Sequence, residues 1–187
     1  MKKLLLLIAL CCTLGAFTAC NDDDDNISLD DYQTWRVQNE QWVRDQQART
    51  NPDGTPYFEA VFPAWNPGIF VQMHWFNDRS ETAGNLTPLY TSTVDVRYNG
   101  YNCEGERFDS SSTTNAYGRL GVQRFQCNAV IQGWSVALEN MHVGDTVEIV
   151  IPNAAAYGTS YLSEMIPPYS ALRFNVRLED IYMYEKN

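Results

Sequence analysis

Histidine is the scarcest chemistry-bearing residue in this 187-residue chain: only His74 and His142 occur. Neither has cysteines or carboxylates clustered beside it, so no metal site is expected, and no Ser-His-Asp or Cys-His constellation can be assembled. His142, in the turn Met141-His142-Val143-Gly144, reads as an exposed turn residue. The glycines form no phosphate-cradling spacing. Positive charge is short as well, with 13 Lys+Arg against 23 Asp+Glu and a net charge of −10, which disfavours nucleic acid and anionic membrane surfaces as partners. Metal-dependent and triad hydrolases, nucleotide-binding enzymes and nucleic-acid binders are therefore set aside.

Lys2 and Lys3 precede an apolar run from Leu4 to Phe17 and small residues ending at Cys20, the order of a secretory signal peptide. The run is too short for a permanent span. Phe17-Thr18-Ala19-Cys20 resembles the lipobox of bacterial lipoproteins, with Phe17 where an aliphatic residue is usual; that resemblance implies cleavage before Cys20 and lipidation of its thiol. The alternative is plain secretion with Cys20 a free, reactive thiol. Losing both lysines takes the net charge to −12. Asp22 to Asp25 cannot pack and reads as an extended tether, similar also to signals that send some Gram-negative lipoproteins to the cell surface. Cys11 and Cys12 leave with the signal peptide, so only Cys103 and Cys127 could pair in an oxidising envelope. The strand reading places them too far apart to bridge.

The division expected is a signal peptide at 1–19, an acidic tether at 20–27, a helical extension at 28–55 and one domain at 56–187, with 44% apolar residues enough for a core. From Ser28 the pattern Tyr32, Trp35, Asn39, Trp42/Val43 predicts a helix at 28–49, with Ser28 and Asp31 as a capping pair and Asn51-Pro52-Asp53-Gly54 as its stop. Its aromatic stripe buries against its own domain or a second subunit, which leaves a homodimer through 28–49 open. Strands are predicted at 57–62 and 69–77 around the turn Asn66-Pro67-Gly68, at 89–101, and as a broken strand from 107 to 127 interrupted by the Ser/Thr/Asn-rich bulge 110–115. A short helix is expected over 130–141, then strands at 146–151 and 171–182. The sum is an α+β domain, an antiparallel sheet wrapped on one central helix.

Five segments within Val94 to Ile181 carry the functional signal: VRYNG (96–100), RFDSS (107–111), NAVIQGW (128–134), AAAYG (154–158) and MIPPYSALRFNVRL (165–178). In this order and spacing they resemble the FKBP-type peptidyl-prolyl cis/trans isomerases, over a core region of 94–184. The resemblance implies a cofactor-free, metal-free isomerase with Trp134 as the floor under the proline ring and Tyr98, Phe108 and Phe174 as walls. Val130, Ile131 and Ile166 would complete the lining. The Ile131 N–H and the Tyr157 hydroxyl would each hold a substrate carbonyl, and Asp109, bonded to Tyr98, would face the twisted amide. Residue by residue, the aromatics could equally be plain core, Asp109 a turn residue and Tyr157 a loop anchor.

The chain departs from the family pattern at Ala129, where some members have glutamate and only a backbone role survives. Gln123 stands in for an apolar wall residue. Thr114 stands where some members place an arginine that pairs with the aspartate, a part Arg119 could take. The expected partners are proline-containing segments of unfolded or folding envelope proteins, and the membrane through Cys20. The place implied is the outer membrane of a Gram-negative bacterium, periplasmic or surface-facing. Two other functions stay in view: a non-catalytic FKBP-fold chaperone or partner-binding lipoprotein, and a glycan binder presenting Trp35, Trp42 or Trp75 in a row.

Overall fold

The computed structural model describes residues 28–112, 118 and 120–183. Cys20 and its tether, Thr114 and Arg119 lie outside the described residues. Strands β1 (Glu59–Val61), β2 (Val71–Trp75), β3 (Thr93–Tyr101), β4 (Arg107–Ser110), β5 (Gln123–Gln126), β6 (Thr146–Ile151) and β7 (Leu172–Ile181) form one sheet in the order β1-β2-β6-β7-β3-β4, with β5 also on β3. Every pairing is antiparallel. β4 and β5 are the two halves of one interrupted edge strand: Asn99 faces Ser110, and Val96 faces Gln123.

Period-2 alternation decides which face meets the core. Val94, Val96 and Tyr98 on β3, Phe174, Val176 and Leu178 on β7, and Val147, Ile149 and Ile151 on β6 join one buried cluster with Trp134, Leu138 and Met141 from the region of helix α2 (Gln132–Glu139). At about 1.5–3 kcal/mol for each large apolar side chain buried, that seam is the main attachment of the helix to the sheet. Gly133 lets the helix come this close, since a Cβ there would collide with the Ile151 side chain.

Helix α1 (Gln33–Gln47) follows a 3-10 turn at Leu29–Tyr32 and packs on the opposite face. Val43 joins Phe58, Val150 and Ala171 in a second, smaller cluster, flanked by Trp42, Tyr57 and Phe70. The Gln72 side-chain amide donates to the Val43 carbonyl at 3.0 Å, the Ala171 N–H to Asn39 Oδ1 at 2.8 Å, and the Trp35 indole N–H to Ser170 Oγ at 2.9 Å. The helix buries its stripe on its own domain. The capping expectation is corrected: Ser28 makes no side-chain cap bond, and its carbonyl instead accepts from Asp31 N–H at 3.0 Å, closing the 3-10 turn.

His142 is also corrected. It is half-buried, with its Nδ1 3.6 Å from Asp145 Oδ2 and 3.2 Å from Arg79 Nη2. Asp145 is fully buried and accepts from the His142 N–H and from the Asn77 and Thr82 side chains, which ties the 77–86 loop to the start of β6. Cys103 and Cys127 are both free thiols. Among the described residues no helix is long and apolar enough to cross a membrane, and no group of His, Cys, Asp and Glu could hold a metal ion.

Candidate functional site

The site forms where β3, β4, β5 and β7 meet the N-terminal end of α2. Gly100 faces both Phe174 across to β7 and Asp109 across to β4. A Cβ at Gly100 would lie 2.6 Å from one carbon of the Phe174 ring and 3.0 Å from the Phe108 ring, so this backbone is the seat on which both rings rest. Between Gly100 and Tyr101 the register slips, Asp109 facing Gly100 and Arg107 facing Tyr101, which leaves Phe108 as the extra residue of a bulge. In a regular strand Phe108 and Asp109 would point to opposite faces. The bulge re-aims the chain so that both reach one cavity.

That cavity has a volume of about 430 Å³. Trp134, 5% exposed, lies at its base. Three rings stand edge-on around the indole: Tyr98 at 5.2 Å and 87°, Phe174 at 5.2 Å and 86°, and Phe125 at 5.8 Å and 74°. Edge-to-face packing of this kind holds the rings beyond their area burial and leaves the indole face unstacked by another ring. Phe108 stands edge-on to Phe174 at 5.6 Å.

The polar groups are few. The Tyr98 hydroxyl donates to Asp109 Oδ2 at 2.7 Å, and the Ser110 N–H donates to Asp109 Oδ1 at 2.7 Å. Burial, then the hydrogen bond and the charge of Asp109, push the Tyr98 phenol well above its ordinary value, so it stays a donor. The Tyr98 backbone is clamped by Ser111, whose Oγ accepts from the Tyr98 N–H at 2.9 Å and whose N–H donates to the Tyr98 carbonyl at 3.0 Å. Tyr157 is raised too, by burial and then by the Asp109 charge. Its hydroxyl has no hydrogen-bond partner among the described residues, and the same holds for the Ile131 N–H at the cap of α2, whose carbonyl accepts from Trp134 and Ser135. Two donors are thus left open beside an apolar hollow.

Of the residues expected here, Tyr98, Phe108, Asp109, Trp134, Tyr157, Phe174, Val130 and Ile131 all line this cavity. Ile166 does not: it is 5% exposed and belongs to the core cluster, with its backbone paired to Ser163. Ala129 lines the cavity as well. The wall assigned to Gln123 is supplied instead by Phe125, two residues further along β5. It is fixed by its neighbour Arg124, whose guanidinium donates twice to the buried Asp95 at 2.7 and 2.9 Å.

The two cysteines among the described residues are poorly placed for thiolate chemistry. Burial pushes both Cys103 and Cys127 up to about 11, with lesser contributions from Glu104 and Glu139 respectively, so neither is a thiolate at neutral pH. Trp35 and Trp42 are half-buried and Trp75 packs on the core, so the row of exposed indoles that a glycan binder would need is not formed by them.

The model of the FKBP-type peptidyl-prolyl cis-trans isomerases matches residues 84–179. The chain belongs to this family. Among FKBP-type relatives, the 22 kDa peptidyl-prolyl cis-trans isomerase of Escherichia coli is 40% identical over 94 residues, covering 50% of this chain and 43% of that protein. The macrophage infectivity potentiator of Trypanosoma cruzi is 38% identical over 99 residues, covering 53% of this chain and 48% of its own. The chain thus spans less than half the length of these curated relatives. The crystal structure of a Pseudomonas syringae peptidyl-prolyl cis-trans isomerase superposes with a TM-score of 0.63 at 23% identity, covering 80% of this chain and 95% of that one. FkpA from Escherichia coli gives 0.62 at 24% identity over 82% of this chain and 63% of that one. These two likenesses place the FKBP fold on an α+β antiparallel sheet with a central helix.

Proposed function

We propose that this chain is a peptidyl-prolyl cis/trans isomerase that acts on X–Pro bonds of folding proteins in a bacterial envelope. Isomerising such a bond breaks no covalent bond; it requires twisting an amide whose barrier is ~18–20 kcal/mol. Uncatalysed, the step takes ~10–100 s, and a thousandfold acceleration needs only ~4 kcal/mol of preference for the twisted over the planar amide. The observation that carries the proposal is the hollow of about 430 Å³ over the Trp134 indole, walled by aromatic rings and holding one carboxylate. In this reading the pyrrolidine ring of the substrate lies on that floor. Low polarity disfavours the charge-separated resonance form of the planar amide, the Ile131 N–H and Tyr157 hydroxyl are free to hold carbonyls on either side, and the Tyr98–Asp109 pair fixes the dipoles facing the bond that turns.

A proline-peptide assay tests this directly. Wild type should accelerate isomerisation, while Asp109→Val and Trp134→Ala should each lose about tenfold or more in kcat/KM, of order 1.4 kcal/mol. A wild type no faster than those variants would leave an FKBP fold that binds partners without turning them.

The domain division proposed is an extension at 28–55 on an isomerase domain at 56–187, carried in the envelope by lipid on Cys20 through the Asp22–Asp25 tether. The lipobox-like Phe17-Thr18-Ala19-Cys20 supports this. Radiolabelled palmitate should enter the wild-type chain and not Cys20→Ser, and fractionation of cells would separate outer-membrane anchoring from a soluble periplasmic chain. The stripe of α1 is occupied by its own sheet, which favours a monomer over the homodimer; light scattering on chains beginning at Cys20 and at Asn51 decides between them.

A further inference from the structure

A second cavity, of about 570 Å³, adjoins the first and shares Val130 with it. Its other walls include Trp65, Tyr90, Asn128, Gln132 and Glu139. Trp65 comes from the Pro63–Gly68 turn and Tyr90 from the loop before β3, and Trp65 lies ahead of the stretch that the family model matches. Both rings are half open to solvent, at 53% and 49%, and neither stacks on another ring among the described residues. The Glu139 carboxylate, at the far end of α2, has neither hydrogen bond nor ion pair among the described residues. Exposed, unstacked aromatic faces beside an unpaired carboxylate favour a cation: the rings attract it through their negative faces, and the carboxylate meets its charge.

The geometry sets how far from the proline that cation must sit. Ile131, at the start of the helix, lines the first cavity, and Glu139 stands eight residues beyond it, about 12 Å at 1.5 Å per residue. An extended peptide leaving the first cavity covers about that distance in three to four residues.

We infer that this second cavity takes the side chain of a lysine or arginine about two to four residues from the substrate proline, with its stem against Trp65 and Tyr90 and its charge at Glu139. The inference rests on reading the neighbouring cleft as a proline site, and it gives the protein a preference for basic stretches of unfolded chains.

Binding of three proline peptides that differ only in Lys, Leu or Glu three residues from the proline, on either side, is measured by calorimetry on the purified protein. Isomerisation of the same peptides is followed in parallel. For at least one placement the Lys peptide should bind about fivefold more tightly than the Glu peptide, and the gap should narrow as salt rises. Glu139→Gln should bring the ratio below about twofold, and Trp65→Ala, a change at an exposed ring that the fold tolerates, should weaken the Lys peptide more than the Leu peptide. Glu59→Gln removes one charge from the exposed first residue of edge strand β1 and should keep the full ratio, separating a local carboxylate from the general acidity of the chain. Equal binding of Lys and Glu peptides, no binding of any, or a ratio that survives Glu139→Gln overturns the inference. Isomerisation without the Lys preference would sink this pocket and keep the enzyme; a Lys preference without isomerisation would do the reverse.

Discussion

Gly100→Ala is the most economical way to ask whether the cleft is built as described. The new methyl would stand 2.6 Å from Cε1 and 3.0 Å from Cδ1 of Phe174, and 3.0 Å from Cζ of Phe108. Phe174 is 4% exposed and has no room to retreat, because it also stands edge-on to Trp134. Gly100 needs no left-handed backbone, so alanine brings no φ penalty and the effect is purely one of packing. Inserting a methyl into a close-packed site costs about 1–3 kcal/mol, which for a domain of this size lowers Tm by about 3–10 °C. The strain falls on two rings that both line the cavity. If about 1.4 kcal/mol of that strain is felt by the twisted amide, kcat/KM falls about tenfold. Thermal unfolding by circular dichroism and the proline-peptide assay read the two effects. Gly84→Ala serves as the control: nothing lies within 4 Å of its would-be Cβ, and it should stay within about 0.5 kcal/mol of wild type. A Gly100→Ala protein with wild-type Tm and wild-type turnover would refute the packing reasoning.

Three further outcomes follow from the structure. Tyr98 has a folded pKa raised above the ordinary tyrosine value of 10.0, so its contribution to stability is fully present below about pH 10 and is lost as pH rises toward the folded value. Urea midpoints between pH 9 and 11 should therefore fall in wild type, and fall less steeply in Tyr98→Phe, since Tyr57 and Tyr157 are also raised; equal slopes would contradict it. Asp145→Ala removes a buried carboxylate serving Asn77, Thr82 and the His142 N–H with Arg79 nearby, and should cost about 3 kcal/mol by urea unfolding. Its folded pKa is lowered, with the cost of burial outweighed by those hydrogen bonds and Arg79, so the contribution of this carboxylate is present above the ordinary value of 3.8 and is lost as pH falls through the folded value. Asn39→Ala leaves the buried Ala171 N–H without its acceptor; a loss of about 1–3 kcal/mol in a single cooperative transition would show that α1 melts with the sheet, and an unchanged midpoint would mean it does not.

How much of this was legible in the chain depends on whether a residue's place is set locally or by register. Tyr98, Trp134 and Phe174 sit in segments whose period is clear: β3 from Val96 to Tyr98 and β7 from Leu172 to Leu178 alternate, and Trp134 and Leu138 on α2 with Met141 just beyond it keep helical spacing. Their shared face follows from pattern alone. Motif order added Asp109 and Tyr157, whose types fit turns as well as a cleft. The misses at Gln123 and Ile166 lie where no sequence period carries a residue's direction from one element to the next. Matching the family's wall position to this chain crosses residues 111–122, where no sequence period fixes the register, so the expectation falls on Gln123 while the ring in the cavity is Phe125. Ile166 sits in a loop whose local pairing with Ser163 turns its side chain into the core. His142 reads as exposed because Arg79, the partner that covers it beside Asp145 of its own turn, stands 63 residues away in the sequence.

The β4 bulge shows why such sites resist reading from sequence yet tolerate its variation. RFDSS names the residues, but period-2 logic puts Phe108 and Asp109 on opposite faces, and only a one-residue slip against Gly100 and Tyr101 brings both to the cavity. The slip is held from both sides. Gly100 leaves space for the Phe108 ring, and Ser111 recaptures the Tyr98 backbone immediately beyond the bulge. The aromatic wall and the carboxylate are therefore one mechanical unit with the Tyr98 hydroxyl, and a change at Gly100 or Ser111, neither of which lines the cavity, should disturb the Tyr98–Asp109 bond as surely as a change at Asp109 itself.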